Sequence, residues 1–257
     1  RPPLDPRVAL TLERAVCSIG LAYQRREGAP EDLIDWGWFR ERVPPLSHLT
    51  EGVLHHAHAQ LMAEARHAVN GHDEGMSDQI ELLAAVPTYR QGLPYRPVHD
   101  SIPPDVAELV GLDRGEGVPQ GGVFDLTAAR GARVLERVAL FYFLRLVVLP
   151  HPSLSDGLRG MKRWRDLPLW WRSVHDRALL YGVDRHGVNG WAALWADADL
   201  MFATSRADWL TTHPDEGGGE LPRLCVAMDR VHALVAQRGL PAFWRLSSRH
   251  PAVWVCC

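Results

Sequence analysis

The sequence predicts an all-α fold, and three observations support this prediction. Apolar residues recur at three- and four-residue spacing in six segments, which is the pattern of a helix that buries one face. No segment shows the alternation of apolar and polar residues that is typical of a half-buried strand. Two of the six segments end at a glycine, which is a frequent helix terminator.

The first predicted module covers residues 1–72 and contains three helices. Its first helix ends at Gly20, and its second begins after Asp35, which is a favourable N-cap residue. Trp36 and Phe39 follow this cap and are expected to pack beneath a long third helix near residues 50–69. The apolar stripes of the first and third helices are formed by Leu12, Val16, Ile19, Leu54, Ala57, Leu61 and Ala65.

A connector and a spacer follow the first module. Residues 73–129 are rich in Pro, Gly and acidic residues, which predicts an irregular connector with short helices at "QIELLAAV" and "DVAELVGL". A loop of this length favours two modules over one compact domain. Residues 130–165 are predicted to form a spacer helix, with the apolar stripe Leu135, Val138, Tyr142, Leu146 and Leu149.

The second predicted module covers residues 166–240 and repeats the first, and residues 241–257 form a C-terminal tail. When Gly187 is aligned with Gly20, Leu179 and Val183 fall on the first helix's apolar positions. Asn189 is then expected to cap a helix that carries Trp191, Leu194 and Trp195. A long last helix over 221–238 is predicted from Leu224, Met228, Val231 and Val235.

Paired tryptophans precede the first helix of this second module. Ser173 and Asp176 have the spacing of a capping box, so Trp170 and Trp171 are expected to cover the end of the helix bundle. Trp191 and Trp195 are expected in its core, where Trp36 and Phe39 stand in the first module. Aromatic residues at helical spacing usually serve packing, so these tryptophans are interpreted as scaffold.

Charge separates the two halves of the chain. Residues 1–129 carry 11 Arg against 19 Asp and Glu, whereas residues 130–257 carry 17 Lys and Arg against 12 Asp and Glu. This asymmetry predicts that a polyanion would meet the second half. No apolar run reaches the ~20 residues that a membrane span needs. The four cysteines show no C-x-x-C or zinc-site spacing, which favours a reducing intracellular setting.

The quoted segments resemble a known protein family. "DLPLWW" and "HDRALLYGVDRHGVNGWAALWADADLMF" resemble the SLIDE-like segment of chromodomain-helicase-DNA-binding (CHD) chromatin remodelers of the Kismet-like, third subfamily. "DWGWFR" is similar to the SANT-like module of the same family. "RVLERVALFYFLRLVVLPHPSL" resembles its spacer, and "LPRLCVAMDRVHALV" resembles its last helix. Arg185 stands where the family has a lysine before His186 and Gly187, which keeps the charge.

The resemblance implies two three-helix SANT/Myb-like modules that bind linker or extranucleosomal double-stranded DNA in the nucleus. The implied partners are the nucleosome, histone tails and a remodeler ATPase motor in the same full-length chain, without a membrane or a cofactor. The chain has no G-x-x-x-x-G-K-[ST] phosphate loop, so we expect it to be non-catalytic.

The predicted phosphate contacts lie in the second module and just before it. The three arginines of the last helix recur at seven and eight residues, which predicts that they lie near one face. A solvated basic face is the structural alternative. The predicted DNA-binding residues are Lys162, Arg163, Arg165, Arg172, Arg177, Arg185, Arg223, Arg230 and Arg238.

Two other function classes stay open from the sequence. The acidic first half would suit a scaffold that binds basic partners such as histone tails. Glu64 and His67 have the E-x-x-H spacing of di-iron bundles, but no second such pair is present. His-Asp dipeptides at His72, His99 and His175 are compatible with a helical metal-dependent phosphohydrolase of the HD type. The group His55, His56 and His58 is expected to be exposed and able to take up zinc.

Overall fold

The computed structural model describes residues 4–24, 33–70, 122–214 and 220–237, and within these ranges the fold is all-α as predicted. One antiparallel pair of two-residue strands, β1 (Tyr23–Gln24) and β2 (Leu33–Ile34), joins the first two helices. No described helix is long and apolar enough to cross a membrane. The helices are α1 (Pro6–Ile19), α2 (Trp36–Arg42), α3 (Glu51–Asn70), α4 (Ala128–Phe143), α5 (Leu154–Arg159), α6 (Ser173–His186), α7 (Trp191–Ala196), α8 (Phe202–Thr212) and α9 (Leu224–Gln237).

Helix α1 and helix α6 end in the same way, as the internal repeat predicts. The glycine after α1, Gly20, has φ +65°, and the glycine after α6, Gly187, has φ +75°. Their ψ angles of −164° and 174° lie outside the left-handed helical region and in a region that only glycine adopts without strain. A Cβ would overlap the Phe141 ring at Gly20 and the carbonyl oxygen of Ser18 at Gly187. Both glycines are therefore required by backbone angle and by space.

The first helix bundle is formed by α1, α3 and α4, with α2 beneath α3. Leu12, Leu54 and Leu135 are fully or almost fully buried along the predicted stripes. Asp35 caps α2 as predicted, because its Oδ1 accepts from the Trp38 amide at 2.8 Å. Helix α4 opens the segment expected to be a spacer, yet it packs against α1 and α3 as part of this bundle.

The spacer segment is not one helix over 130–165, and this expectation is corrected. Helix α4 continues into a π-helical turn over Leu144–Val148, and Pro150 follows after Leu149. Proline lacks the amide that a helix interior requires. After the short helix α5, residues 160–172 run without regular helix as far as α6.

The second bundle contains one helix more than the predicted three. Helix α8 lies between the tryptophan-bearing α7 and the last helix, and it buries Phe202 against Trp171 with ring centroids 5.4 Å apart. Trp170 and Trp171 are buried, and Trp191 is stacked on Trp195 at 5.8 Å. Asn189 does not cap α7, because Gly190 occupies that position.

Arg145, in the π-helical turn, joins the two bundles and is almost fully buried. Its guanidinium donates to the carbonyl oxygens of Leu21 at 2.7 Å and Ile19 at 2.9 Å, both at the end of α1. It also donates to Asp184 Oδ1 on α6 at 2.7 Å and lies 4.5 Å from the centre of the Trp38 ring. One arginine therefore satisfies polar groups from both bundles.

Further hydrogen bonds tie α1 and α2 to the end of α6. The Val188 amide donates to the Ser18 carbonyl at 2.7 Å, and Asn189 Nδ2 donates to Ser18 Oγ at 2.7 Å. Arg42 donates to the carbonyl of Arg185 at 2.7 Å. The buried apolar residues accordingly form one continuous core across both bundles.

Candidate nucleic-acid interface

The densest group of exposed basic side chains lies between α5 and α6. We call residues 160–172 the basic loop, because it carries Lys162, Arg163, Arg165 and Arg172 against one acidic residue, Asp166. All four basic side chains are exposed. Two further predicted contacts, Arg177 on α6 and Arg223 just before α9, are also exposed.

A buried ion pair fixes the basic loop to the second bundle. Arg230 on α9 and Asp176 on α6 form a two-pronged pair, in which Arg230 Nε lies 2.8 Å from Asp176 Oδ1. Arg230 Nη1 donates to the carbonyl of Lys162 at 3.1 Å, and its guanidinium lies 5.1 Å from the centre of the Trp164 ring. Trp171 Nε1 donates to the same Asp176 carboxylate at 2.9 Å. One buried charge pair thus contacts the loop near both ends, through the Lys162 carbonyl and the Trp171 side chain.

Arg230 was predicted to contact phosphate, and this prediction is wrong because its side chain is only 1% exposed. The physical reason is that α9 turns a different face toward the core than the face expected from the sequence. Leu224, expected in the apolar stripe, is 50% exposed, and the buried face runs through Ala227, Val231 and Leu234. Arg230 stands on that buried face and is tolerated there because Asp176 neutralises it. Arg238 lies outside the described residues.

The expected capping box of Ser173 and Asp176 is also corrected. Asp176 forms an ion pair with Arg230 and does not cap the helix. The start of α6 is stabilised instead by His175, whose Nδ1 accepts from the Arg172 amide at 2.9 Å. His175 Nε2 lies 2.9 Å from Ser205 Oγ. Burial lowers the pKa of His175, so the ring is a neutral structural group.

Arg185 is partly neutralised within its own bundle. Its side chain is 47% exposed, and its Nη1 lies 2.8 Å from both Asp197 Oδ2 and Asp199 Oδ2. His186 Nε2 also donates to Asp197, and this hydrogen bond is the main cause that lowers the pKa of Asp197 to about 2. A phosphate would have to compete with two carboxylates at Arg185, so this residue is a weaker candidate than the basic loop.

Arg177 is oriented by neighbours that leave its charge unbalanced. Its Nη1 donates to Ser155 Oγ on α5 at 3.3 Å, and its guanidinium lies 5.5 Å from the centre of the Tyr181 ring. Arg163 donates to the carbonyls of Leu167 and Pro168, each at 3.0 Å. These contacts are to neutral groups, so both arginines keep their full charge toward solvent.

The acidity of the first half is concentrated in the connector. Residues 71–121 carry nine Asp and Glu against three Arg, and they lie outside the described residues. In the described parts of the first module, five Arg stand against six Asp and Glu. The first bundle itself is therefore close to neutral.

The three histidines expected to be exposed differ in burial. His55 and His56 are exposed, but His58 is buried against Trp36 at 6.0 Å between ring centres. Burial, followed by the charge of His55, lowers the pKa of His58 to about 4. Glu64 accepts from the amides of Val123 and Phe124, each at 2.9 Å. It therefore fixes the backbone just before α4 to helix α3.

Among the described residues, no three His, Cys, Asp or Glu side chains are grouped as a metal site would need. The predicted pair of Glu64 and His67 therefore lacks the partners of a di-iron site. The dipeptides at His72 and His99 lie outside the described residues. The third, His175 with Asp176, is accounted for by the packing of α6.

Comparison with curated proteins gives relatives of one kind. The chain is 35% identical to Chromodomain-helicase-DNA-binding protein 8 of Danio rerio over 106 residues, which is 40% of this chain and 4% of that protein. It is 30% identical to Chromodomain-helicase-DNA-binding protein 7 of Homo sapiens over 118 residues, 46% of this chain and 3% of that protein. It is 40% identical to Chromodomain-helicase-DNA-binding protein 9 of Mus musculus over 65 residues, 25% of this chain and 2% of that protein.

The resemblance to CHD proteins is confirmed. The similar segments correspond to a small part of the length of each CHD relative, 4% and 3% for the first two named. No family model and no solved structure matches the chain. The sequence signal that found the CHD relationship was the order of short tryptophan, glycine and acidic motifs, which the structure shows to be packing elements.

Proposed function

We propose that this chain is the non-catalytic, DNA-binding SANT-SLIDE-like region of a nuclear chromatin remodeler. In this proposal it docks on the phosphates of linker or extranucleosomal duplex DNA, and the ATPase motor lies elsewhere in the same full-length chain. The CHD relationship supports the chromatin setting. The observation that carries the proposal is the exposed basic loop together with Arg177 and Arg223.

Rigidity distinguishes the basic loop from an ordinary solvated basic surface. It is held by Arg230 at the backbone carbonyl of Lys162 and by Asp176 at the indole of Trp171, and both Arg230 and Asp176 are buried. Long side chains on a fixed backbone lose less conformational freedom on binding than side chains on a mobile one. A fixed loop therefore favours phosphate contacts at a defined spacing.

The expected mechanism is electrostatic docking with little base readout. Arginine donates two parallel hydrogen bonds to phosphate, and every exposed candidate except Lys162 is an arginine. Phosphate contacts position a protein on the duplex but carry no sequence information directly. The sequence carries no feature of a dedicated base-reading helix, so we expect similar affinity for unrelated sequences.

Charge neutralisation of the basic loop tests this proposal. Each phosphate contact contributes about 0.9 to the slope of log affinity against log salt, which corresponds to about a five-fold affinity change at 0.15 M salt. Arg165→Gln with Arg172→Gln should thus weaken duplex binding about 25-fold and lower the slope by about 2. The control is Arg7→Gln, an exposed arginine on α1 far along the chain from the loop, which should leave affinity within two-fold. Equal effects of both variants would contradict the proposal.

A second candidate function is a scaffold for basic partners such as histone tails. The observation that favours it is the excess of seven acidic residues over arginines in the connector, residues 73–129. A histone-tail peptide should then bind more weakly when Asp73, Glu74, Asp78 and Glu81 are changed to the corresponding amides. Unchanged peptide affinity in that variant would leave DNA docking as the single candidate.

A further inference from the structure

Ser155 lies where α5 contacts α6, beside a candidate DNA contact. Its hydroxyl oxygen accepts from Arg177 Nη1 at 3.3 Å, and its side chain is partly exposed. Arg177 and Arg172 are both exposed, and Arg177 is five residues beyond the end of the basic loop. A serine hydroxyl that already faces an arginine is placed so that an added phosphate would meet the same guanidinium.

A second arginine is placed to meet the same group. Arg159 follows Ser155 by four residues on α5, and residues four apart share a helix face. Its present partner is Asp156 at 3.3 Å, and both side chains are more than 70% exposed. An exposed pair of this kind is weak, whereas a phosphoserine carries close to two negative charges and three acceptor oxygens. A phosphate on Ser155 would therefore compete well for Arg159.

We propose that Ser155 is a phosphorylation site whose phosphate is held by Arg177 and Arg159 and which weakens docking on DNA. The co-reactants are ATP and a protein kinase. Ser155 Oγ bonds to the γ-phosphorus, the bond from that phosphorus to the bridging oxygen breaks, ADP leaves, and the hydroxyl proton passes to the kinase's base. The DNA part of this proposal rests on the proposed function, whereas the capture of phosphate by the arginines does not.

The expected consequence follows from charge. Arg159, Lys162, Arg163, Arg165, Arg172 and Arg177 stand against Asp156 and Asp166 in this region, and a phosphoserine would cancel about half of the excess. Withdrawal of Arg177 alone removes one candidate contact. We therefore expect DNA affinity to fall at least about five-fold at 0.15 M salt beyond the effect of the added charge.

Ser153 provides a matched control two residues away. It is exposed and precedes α5, and its amide donates to His151 Nδ1 at 3.1 Å. Phosphoserine is introduced into the full chain at position 155 or at position 153 by genetic encoding, each with and without Arg177→Gln. The two phosphoproteins have the same net charge, so the part of their difference that is lost in Arg177→Gln reports the contact with Arg177.

The first measurement needs no DNA. A phosphorus NMR titration should give a second phosphate pKa below the ordinary value of about 6 at position 155, nearer to 6 at position 153, and restored at position 155 by Arg177→Gln. The second measurement is duplex affinity at 0.15 M salt, which should be at least about five-fold lower for position 155 than for position 153, with the difference lost in Arg177→Gln.

Equal phosphate pKa values at positions 155 and 153 would overturn the proposal that the arginines hold the phosphate. Equal DNA affinities of the two phosphoproteins would overturn the proposal that the phosphate weakens docking on DNA. If the unphosphorylated chain fails to bind DNA, the proposed function fails, while the NMR titration still decides whether the arginines hold the phosphate. Phosphopeptide mapping of the full-length protein purified from nuclei should show phosphate on Ser155, and an unmodified Ser155 in growing and arrested cells would overturn its assignment as a phosphorylation site.

Discussion

Replacement of Arg145 by methionine should destabilise the whole chain, because this residue holds the two bundles together. Methionine fills much of the same space, but it removes the guanidinium that pairs with Asp184, donates to the carbonyls of Leu21 and Ile19, and lies 4.8 Å from the centre of the Phe141 ring. Breaking a buried ion pair by removing one partner typically costs about 3–5 kcal/mol. The Asp184 side chain is 34% exposed and can be rehydrated, so we expect the lower end, about 3 kcal/mol.

Urea denaturation followed by tryptophan fluorescence measures this loss as a lower midpoint with an unchanged slope. The matched control is Arg159→Met, whose ion pair with Asp156 is exposed on both sides and should contribute less than about 0.5 kcal/mol. A loss below about 1 kcal/mol for Arg145→Met would refute the reasoning. Independent unfolding of two bundles in the wild type would refute it as well, since the continuous core predicts one cooperative transition.

Two further predictions concern stability at single positions. His58 has a folded pKa of about 4, below its unfolded value of about 6.5, so the unfolded state binds more protons between these values. Wild-type stability relative to His58→Leu should therefore fall by up to about 3 kcal/mol as the pH drops from 6.5 to 4, and a flat difference in urea titrations would contradict this. Gly187→Ala should destabilise by at least about 2 kcal/mol, because of its positive φ and its overlap with Ser18. Gly52→Ala, in the open first turn of α3, should instead stabilise by about 0.5 kcal/mol in thermal melts, and equal shifts for the two variants would show that the backbone at Gly187 is unstrained.

Local sequence signals predicted the elements whose determinants are local. The cap at Asp35, the helix ends at Gly20 and Gly187 and the buried stripe around Leu12 depend on residues within a few positions. Their chemistry is visible in the sequence, because a cap needs an acceptor and a positive φ needs glycine. The same reasoning located α2 and the long helix α3.

Features set by distant partners could not be predicted in this way. The burial of Arg230 depends on Asp176, which lies 54 residues earlier on another helix. The stripe through Leu224 and the stripe through Ala227 are both plausible on α9, and the choice between them is made by packing against α6. The role of Arg145 likewise depends on carbonyls at the end of α1.

The candidate interface was predicted in its location and partly in its members. The basic loop follows from composition alone, since four basic residues fall within residues 160–172. Exposure, however, is a property of the folded chain. Arg230 is buried and cannot contact phosphate, and Arg185 is a weaker candidate because it is paired with carboxylates. Ser155 carried no sequence signal, because its significance arises from contact with Arg177 across two helices.

The salt dependence of duplex DNA binding tests the central proposal most directly. If Lys162, Arg163, Arg165, Arg172, Arg177 and Arg223 contact phosphates, log affinity should fall against log salt with a slope of about −5. Neutralisation of the four residues of the basic loop together should bring this slope to about −2. Absence of binding at 50 mM salt, or a slope that is the same with and without the basic loop, would contradict the account.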